Sequence, residues 1–238
     1  GPEQALAAVE ATRAAGFERF SIDLIHGSPT EELATTERNL IQLLELRPKH
    51  VSAYGLTYEP GTPLHARLER EEFVPQDEDQ ELANLDRVHS LLQAAGLDGY
   101  EVSNYSVIGQ ECGHNINYWH NGPYVGIGPS AASHARGTRS GNPRSIPRWR
   151  TAKQEDPMAA AFEEHLDPRA RLGETWWLGL RLTAGVDPRT ARATAGWEPG
   201  EDPAVEQAEA LVADGLLELA AGRYRLTQRA RPLADHVG

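Results

Sequence analysis

Leu82, Leu85, Val88 and Leu92 recur at spacings of three and four, which predicts a helix over 77–95 that stops at Gly96. Leu33, Leu40, Leu43 and Leu44 repeat the pattern upstream and predict a helix that Pro48 ends. Its start is read at Ser28-Pro29-Thr30-Glu31, a capping box with Ser28 as N-cap and proline at the first helical position. Leu6 and Val9, on a face filled out by alanines, predict a first helix over 3–15 before Gly16.

Between these helices the period changes from helical to two. Residues 20–25 alternate, with Ser21, Asp23 and Ile25 on one face and Ile22 and Leu24 on the other. Residues 51–56 predict a second strand and 100–105 a short third one. Strand, helix and strand at this spacing make a βαβ unit with parallel strands. Two parallel strands cannot bury both of their faces, so the unit reads as a piece of a larger sheet or barrel. Residues 58–63 form a turn-rich loop.

The second half is rich in helix. One predicted helix holds 176–182, a second follows Asp187-Pro188, and a third spans 203–214 with Val205, Ala208 and Val212 on one face. Residues 216–219 and 224–227 predict a hairpin around Ala221-Gly222, and a last helix starts near Gln228. Helices followed by a two-stranded wing suggest a winged-helix-like unit. Residues 137–150, rich in Arg, Pro, Gly and Ser, read as a loop and domain boundary. Its basic cluster, Arg136, Arg139, Arg144, Arg148 and Arg150, suits either ligand carboxylates or solvent. The expected division is 1–136, a linker over 137–172, and 173–238.

Composition narrows the function classes. The chain has 238 residues, 39% hydrophobic and 24% charged, which suits a folded protein with real cores. A net charge of −12 argues against a broad nucleic-acid-binding face. The predicted third helix of the wing unit carries Glu206, Glu209 and Asp214 and no Lys or Arg, which argues the same way. No apolar run is long enough to cross a membrane, and a cytoplasmic location is expected. The single cysteine, Cys112, excludes an internal disulfide and a cysteine cage for an iron–sulfur cluster.

Two stretches carry candidate chemistry. Asp23 is a carboxylate within an apolar strand, which would be costly to bury without a partner. It serves either as a structural hydrogen-bond acceptor or as the acceptor for a ligand hydroxyl or amine at the mouth of a parallel sheet. Cys112-Gly113-His114-Asn115-Ile116-Asn117-Tyr118-Trp119 is followed by Tyr124-Val125-Gly126-Ile127-Gly128-Pro129. Such a stretch ligates a metal, stacks a flat ligand or knits two subdomains together, and residue types alone leave these open.

The same stretches carry a family resemblance. Asp23-Leu-Ile-His-Gly-Ser-Pro29 resembles the "DLIYGLP" strand end of coproporphyrinogen III oxidase-like radical SAM proteins, and Glu101-Val-Ser-Asn-Tyr105 resembles their "YEISNF" strand. Glu111 to Trp119 resembles "ECRHNxxYW", typical of the HemW-type heme chaperone branch, and Tyr124 to Pro129 resembles the start of "YLGIGPGAHS". Leu178 to Leu182 and Arg225 to Arg229 resemble the family's C-terminal helical domain. The chain departs from these motifs at His26, where the family often has Tyr, and at Ser130 and Ala132, where it has Gly and His.

The resemblance implies an α/β fold: the last two strands of a partial TIM-type radical SAM barrel, followed by an α+β winged-helix-like domain. The family's cluster cysteines, glycine-rich motif and first four barrel strands are expected before residue 1, so the chain is expected to be the C-terminal part of a longer protein or a degenerate member. By resemblance, Asp23 and Thr57 line the S-adenosylmethionine pocket. His114 is the axial heme ligand, in a motif that also holds Asn115, with Tyr118 and Trp119 stacking on the macrocycle. The implied function is a heme chaperone that passes heme to membrane-bound respiratory proteins. Alternatives are part of an oxygen-independent coproporphyrinogen III oxidase of porphyrin biosynthesis, or a winged-helix interaction module without cofactor. The full-length family uses a 4Fe-4S cluster. This chain alone, with one cysteine, is expected to run no radical chemistry, and a homodimer is left open.

Overall fold

The structure is a computed structural model that describes residues 2–135, 137–157, 159–198 and 202–234. The chain divides into two compact units, Gly1–Cys112 and Gly113–Gly238.

The first unit opens with helix α1 (Pro2–Ala14), then runs β1 (Ser21–His26), α2 (Leu33–Glu45), β2 (His50–Gly55), α3 (Pro63–Glu69), α4 (Glu78–Ala94), β3 (Asp98–Gly99) and β4 (Asn104–Ser106). The sheet order is β1-β2-β4-β3. β1 and β2 are parallel, with Ser21 opposite His50 and Asp23 opposite Ser52, as the βαβ reading requires. β4 is antiparallel to both β2 and β3. The sheet is therefore mixed. The strand expected over 100–105 is shorter because the Glu101 carboxylate accepts from the Ser103 N–H at 2.8 Å and from Asn104 Nδ2 at 2.6 Å, which bends 100–103 into a turn.

One face of this sheet is the core. Leu40 and Leu43 of α2 and Val88 and Leu92 of α4 pack on Val51, Ala53 and Tyr105. Ile22 and Leu24 point the same way. Removing such side chains from water drives the association of sheet and helices. Leu33 and Leu82, expected on the buried faces, are exposed instead, and the otherwise apolar packing of the two helices includes one polar contact. There Thr36 Oγ1 donates to Asn84 Oδ1 at 2.9 Å, and Asn84 Nδ2 donates to Gln76 Oε1 at 2.7 Å.

The capping box expected at Ser28 is absent. Glu31 Oε2 accepts from the backbone N–H groups of Gly27 and Ser28 and from the Ser28 hydroxyl, which makes residues 28–31 a turn. Helix α2 then starts at Leu33, with Glu32 as its N-cap. Gln76 holds the turn from outside, donating to the Ser28 and Glu31 carbonyls. In α4 the reciprocal box does form: Asp77 Oδ1 accepts from Gln80 N, and Gln80 Oε1 accepts from Asp77 N.

The second unit holds α5 (Gly113–Trp119), β5 (Ala132–Ala135), β6 (Thr138–Gly141), α6 (Ile146–Glu155), β7 (Phe162–His165), α7 (Pro168–Leu180), α8 (Pro188–Ala195), α9 (Pro203–Ala213), β8 (Leu217–Ala220), β9 (Arg223–Leu226) and a 3-10 helix, Gln228–Leu233. The loop and linker expected over 137–172 is corrected here. That segment supplies β6, α6 and β7, and β5-β6-β7 form an antiparallel sheet. Its basic residues are partly structural, since Arg139 pairs with Glu164 at 3.0 Å and with Glu174 at 2.7 Å. Arg144, Arg148 and Arg150 are exposed, and Arg136 lies outside the described residues.

Helices α7, α8 and α9 start alike. Asp167, Asp187 and Asp202 each precede a proline, and each carboxylate accepts from a backbone N–H of the first turn. The β8-β9 hairpin follows them, as expected for the wing. Leu172, Trp176, Leu180, Val186, Leu217 and Tyr224 form the core, with the Trp176 and Tyr224 rings 5.4 Å apart.

Candidate functional site

The HNxxYW stretch folds as helix α5, which places His114 and Tyr118 one turn apart on one face. The His114 imidazole stands edge-on to the Tyr118 ring, 4.6 Å between centroids. Tyr118 in turn stands edge-on to Tyr124 at 4.5 Å, and Tyr124 is followed by His134 at 6.0 Å. His114 is exposed, Tyr118 half-buried and His134 buried, so the run of rings leads from solvent into the unit. Burial and the neighbouring Tyr118 push the Tyr124 phenol above its ordinary range.

Three contacts hold α5 in place. Asn117 Nδ2 donates to the Pro123 carbonyl at 3.0 Å. Asn121 donates to Glu174 and Thr175 of α7. The Arg181 guanidinium lies 4.7 Å from the centre of the Trp119 ring. One side of Trp119 is thus occupied by a cation rather than open for stacking. Asn115 is half-buried on the same helix. Trp119 and His120 also line a cavity of about 100 Å³ shared with Thr175, Asp187, Thr190 and Arg223.

The loop after α5 is built to hold its shape. The Gly126 N–H donates to Ser133 Oγ at 2.9 Å, and Asn142 Nδ2 donates to the Gly128 carbonyl at 2.8 Å. A Cβ on Gly126 would lie 2.1 Å from the Ala132 carbonyl oxygen, so only glycine fits. Ser130 has φ +63°, a left-handed conformation that explains the glycine of the resembled motif. From this loop Val125 and Ile127 project into solvent, 81% and 90% exposed. Sequence reasoning passed over both, because an alternating Val-Gly-Ile segment reads equally well as a buried strand.

Asp23 and Thr57 belong to the first unit, His114, Asn115, Tyr118 and Trp119 to the second. Asp23 lies on the side of β1 that faces away from the core, and it is exposed. Its contact is with Ser21 Oγ, which donates at 3.5 Å. Thr57 is exposed just beyond the C-terminal end of β2. Among the described residues, no group of three or more His, Cys, Asp or Glu side chains is arranged to hold a metal ion. No helix among them is long and apolar enough to cross a membrane.

The HemN C-terminal domain family matches residues 166–233. A heme chaperone HemW of Mycobacterium tuberculosis (strain H37Rv) is 36% identical over 236 residues, covering 99% of this chain and 58% of the relative. The Bacillus subtilis heme chaperone HemW is 29% identical over 96% of this chain and 60% of its own. The Escherichia coli heme chaperone HemW is 40% identical over 131 residues, 55% of this chain and 34% of the relative. The chain thus spans less than two thirds of the length of these relatives. The solved Escherichia coli coproporphyrinogen III oxidase HemN, a radical SAM enzyme, has the same fold over 100% of this chain and 58% of its own, with a TM-score of 0.76 and 17% identity.

Proposed function

We propose that the chain, a member of the coproporphyrinogen III oxidase-like family that includes the HemW heme chaperones, forms the heme-binding part of such a chaperone. The observation that carries the reading is the exposed His114 imidazole at the head of the Tyr118–Tyr124 ring run. A neutral imidazole is a good axial ligand for heme iron. The edge-on tyrosines offer aromatic surface to a flat macrocycle. Val125 and Ile127 lie directly after Tyr124 in the chain and offer exposed apolar surface.

In this reading heme is the cargo. His114 ligates the iron, and Tyr118 holds the imidazole edge and limits its rotation. Trp119 keeps α5 in position through its contact with Arg181. Release to membrane-bound respiratory proteins requires a bond that can be exchanged, and a single exposed histidine suits exchange better than a closed pair of ligands.

The first unit is read as the end of a partial radical SAM barrel. Its exposed Asp23 and Thr57 lie on the polar side of the sheet and beyond β2, where they are available to S-adenosylmethionine. The residues of this chain do not fit a 4Fe-4S cluster, because Cys112 is the single cysteine in the sequence.

Hemin titration followed by absorbance tests the reading. The wild-type chain is expected to give a shifted Soret band, and His114→Ala to lose it while melting at the same temperature. An unchanged band in His114→Ala would remove His114 from the site.

A further inference from the structure

On the polar side of the first sheet, four side chains from three segments form one line. Ser21 and His50 are register partners on parallel strands, and Ser21 Oγ lies 2.8 Å from His50 Nδ1. His50 Nε2 lies 2.8 Å from the Tyr100 hydroxyl. At the other end, Ser21 Oγ donates to Asp23 Oδ1 at 3.5 Å. His50 is buried, 7% exposed, whereas Ser21 and Asp23 are exposed.

Hydrogen-bond chemistry gives the line a direction. The Ser21 hydroxyl has one proton, and here it goes to the Asp23 carboxylate, which can only accept. Ser21 Oγ must then accept from His50, which puts the histidine proton on Nδ1. Nε2 is left with a lone pair, and the Tyr100 hydroxyl donates to it. Each bond polarises the next toward the charged end, so the direction ending on the anion is favoured. Burial lowers the pKa of His50, with the Asp23 charge opposing, and this keeps the ring in the neutral form that both donates and accepts.

We propose that His50, steadied by Tyr100, is a positioning residue for the Asp23 carboxylate, acting through Ser21 to occupy Oδ1 and leave Oδ2 for a ligand donor such as a ribose hydroxyl or an amine. That last clause rests on the reading of Asp23 as an S-adenosylmethionine contact. The positioning itself does not. An exposed aspartate ordinarily samples several rotamers, and a ligand that needs one of them must overcome that freedom. A carboxylate held beforehand from a buried histidine has lost that freedom already.

The test is nuclear magnetic resonance on the whole 238-residue chain. Long-range nitrogen–proton correlation is expected to show His50 as the Nδ1–H tautomer. Three-bond couplings are expected to show a single χ1 rotamer for Asp23. Ser21→Ala should average the Asp23 rotamer and also lower the melting temperature, because the buried His50 Nδ1–H loses its acceptor. Tyr100→Phe should mix the His50 tautomers. An Nε2–H tautomer in the wild type, or an Asp23 rotamer unaffected by Ser21→Ala, would overturn the proposal. A separate titration with S-adenosylmethionine, wild type against Asp23→Asn, tests only the ligand reading. Equal affinities there, with the tautomer and rotamer results as expected, would support the positioning role and remove the ligand from it.

Discussion

Thr36 and Asn84, 48 residues apart in the chain, share a hydrogen bond of 2.9 Å with both side chains buried. It joins α2 to α4 inside an otherwise apolar contact and extends through Gln76 to the carbonyls of the turn after β1. Asn84→Ala strips a partner from both Thr36 and Gln76. A buried polar group left unpaired costs about 1–3 kcal/mol, so the first unit should lose at least that much. Urea unfolding followed at amides of α2 and α4 measures it. Asn84→Leu, similar in volume, should be as damaging, because the loss lies in the abandoned partners rather than in the space.

Gly126 should tolerate no side chain. Gly126→Ala sets a methyl group into the Ala132 carbonyl and should destabilise the second unit by about 1–3 kcal/mol, the usual range for overpacking. Gly109 is the control: it has nothing within 4 Å of a built Cβ, but φ of +79°. Alanine there should cost only the left-handed backbone penalty of about 1–2 kcal/mol. Thermal melts of the two variants, each followed in its own unit, separate packing strain from backbone strain.

Periodicity predicted the elements that have one apolar face. Helices α2 and α4, the parallel β1-β2 pair, the three later helices and the wing all follow from it. It failed where polar side chains decide the path. The turn at Ser28–Glu31 reads as a helix start because a capping box and an inward-turned carboxylate use the same residues. Strands β5, β6 and β7 were missed because their residues are small or charged and β7 is exposed along its length. For the site, HNxxYW was legible as a motif, and helical spacing pairs His114 with Tyr118. The partnership of Ser21 with His50 needs the strand register, which no local pattern contains.

Strand β1 is an edge of the sheet among the described residues, and its outward face carries Ile25 at 63% exposure. β2 has neighbours on both sides. Alternate amides of an edge strand have no ladder partner. Hydrogen exchange should therefore be faster at alternate β1 residues than anywhere in Val51–Ala53. Uniform protection of β1 would mean that another strand covers it, from a second copy or from elsewhere in the protein, and exchange at two protein concentrations distinguishes these.

His26 should make the first unit acid-sensitive. It is 4% exposed, and burial lowers its pKa below the ordinary 6.5, with the Glu31 charge partly opposing. Its Nε2 has no hydrogen-bond partner among the described residues. In the unfolded chain the ring takes a proton as pH falls through 6.5. In the folded unit it resists until the lower folded value. Between the two, the unfolded state binds more protons, so stability falls as pH falls through that window and is fully present above it. His50 is shifted in the same direction and adds to the slope. His26→Tyr restores the residue common in the resembled motif and removes one of the two contributions. Urea midpoints of the first unit at pH 7.5 and 5.5 should differ less in His26→Tyr than in the wild type. Equal differences would show that the buried ring accepts a proton in place, through a rearrangement toward Glu31.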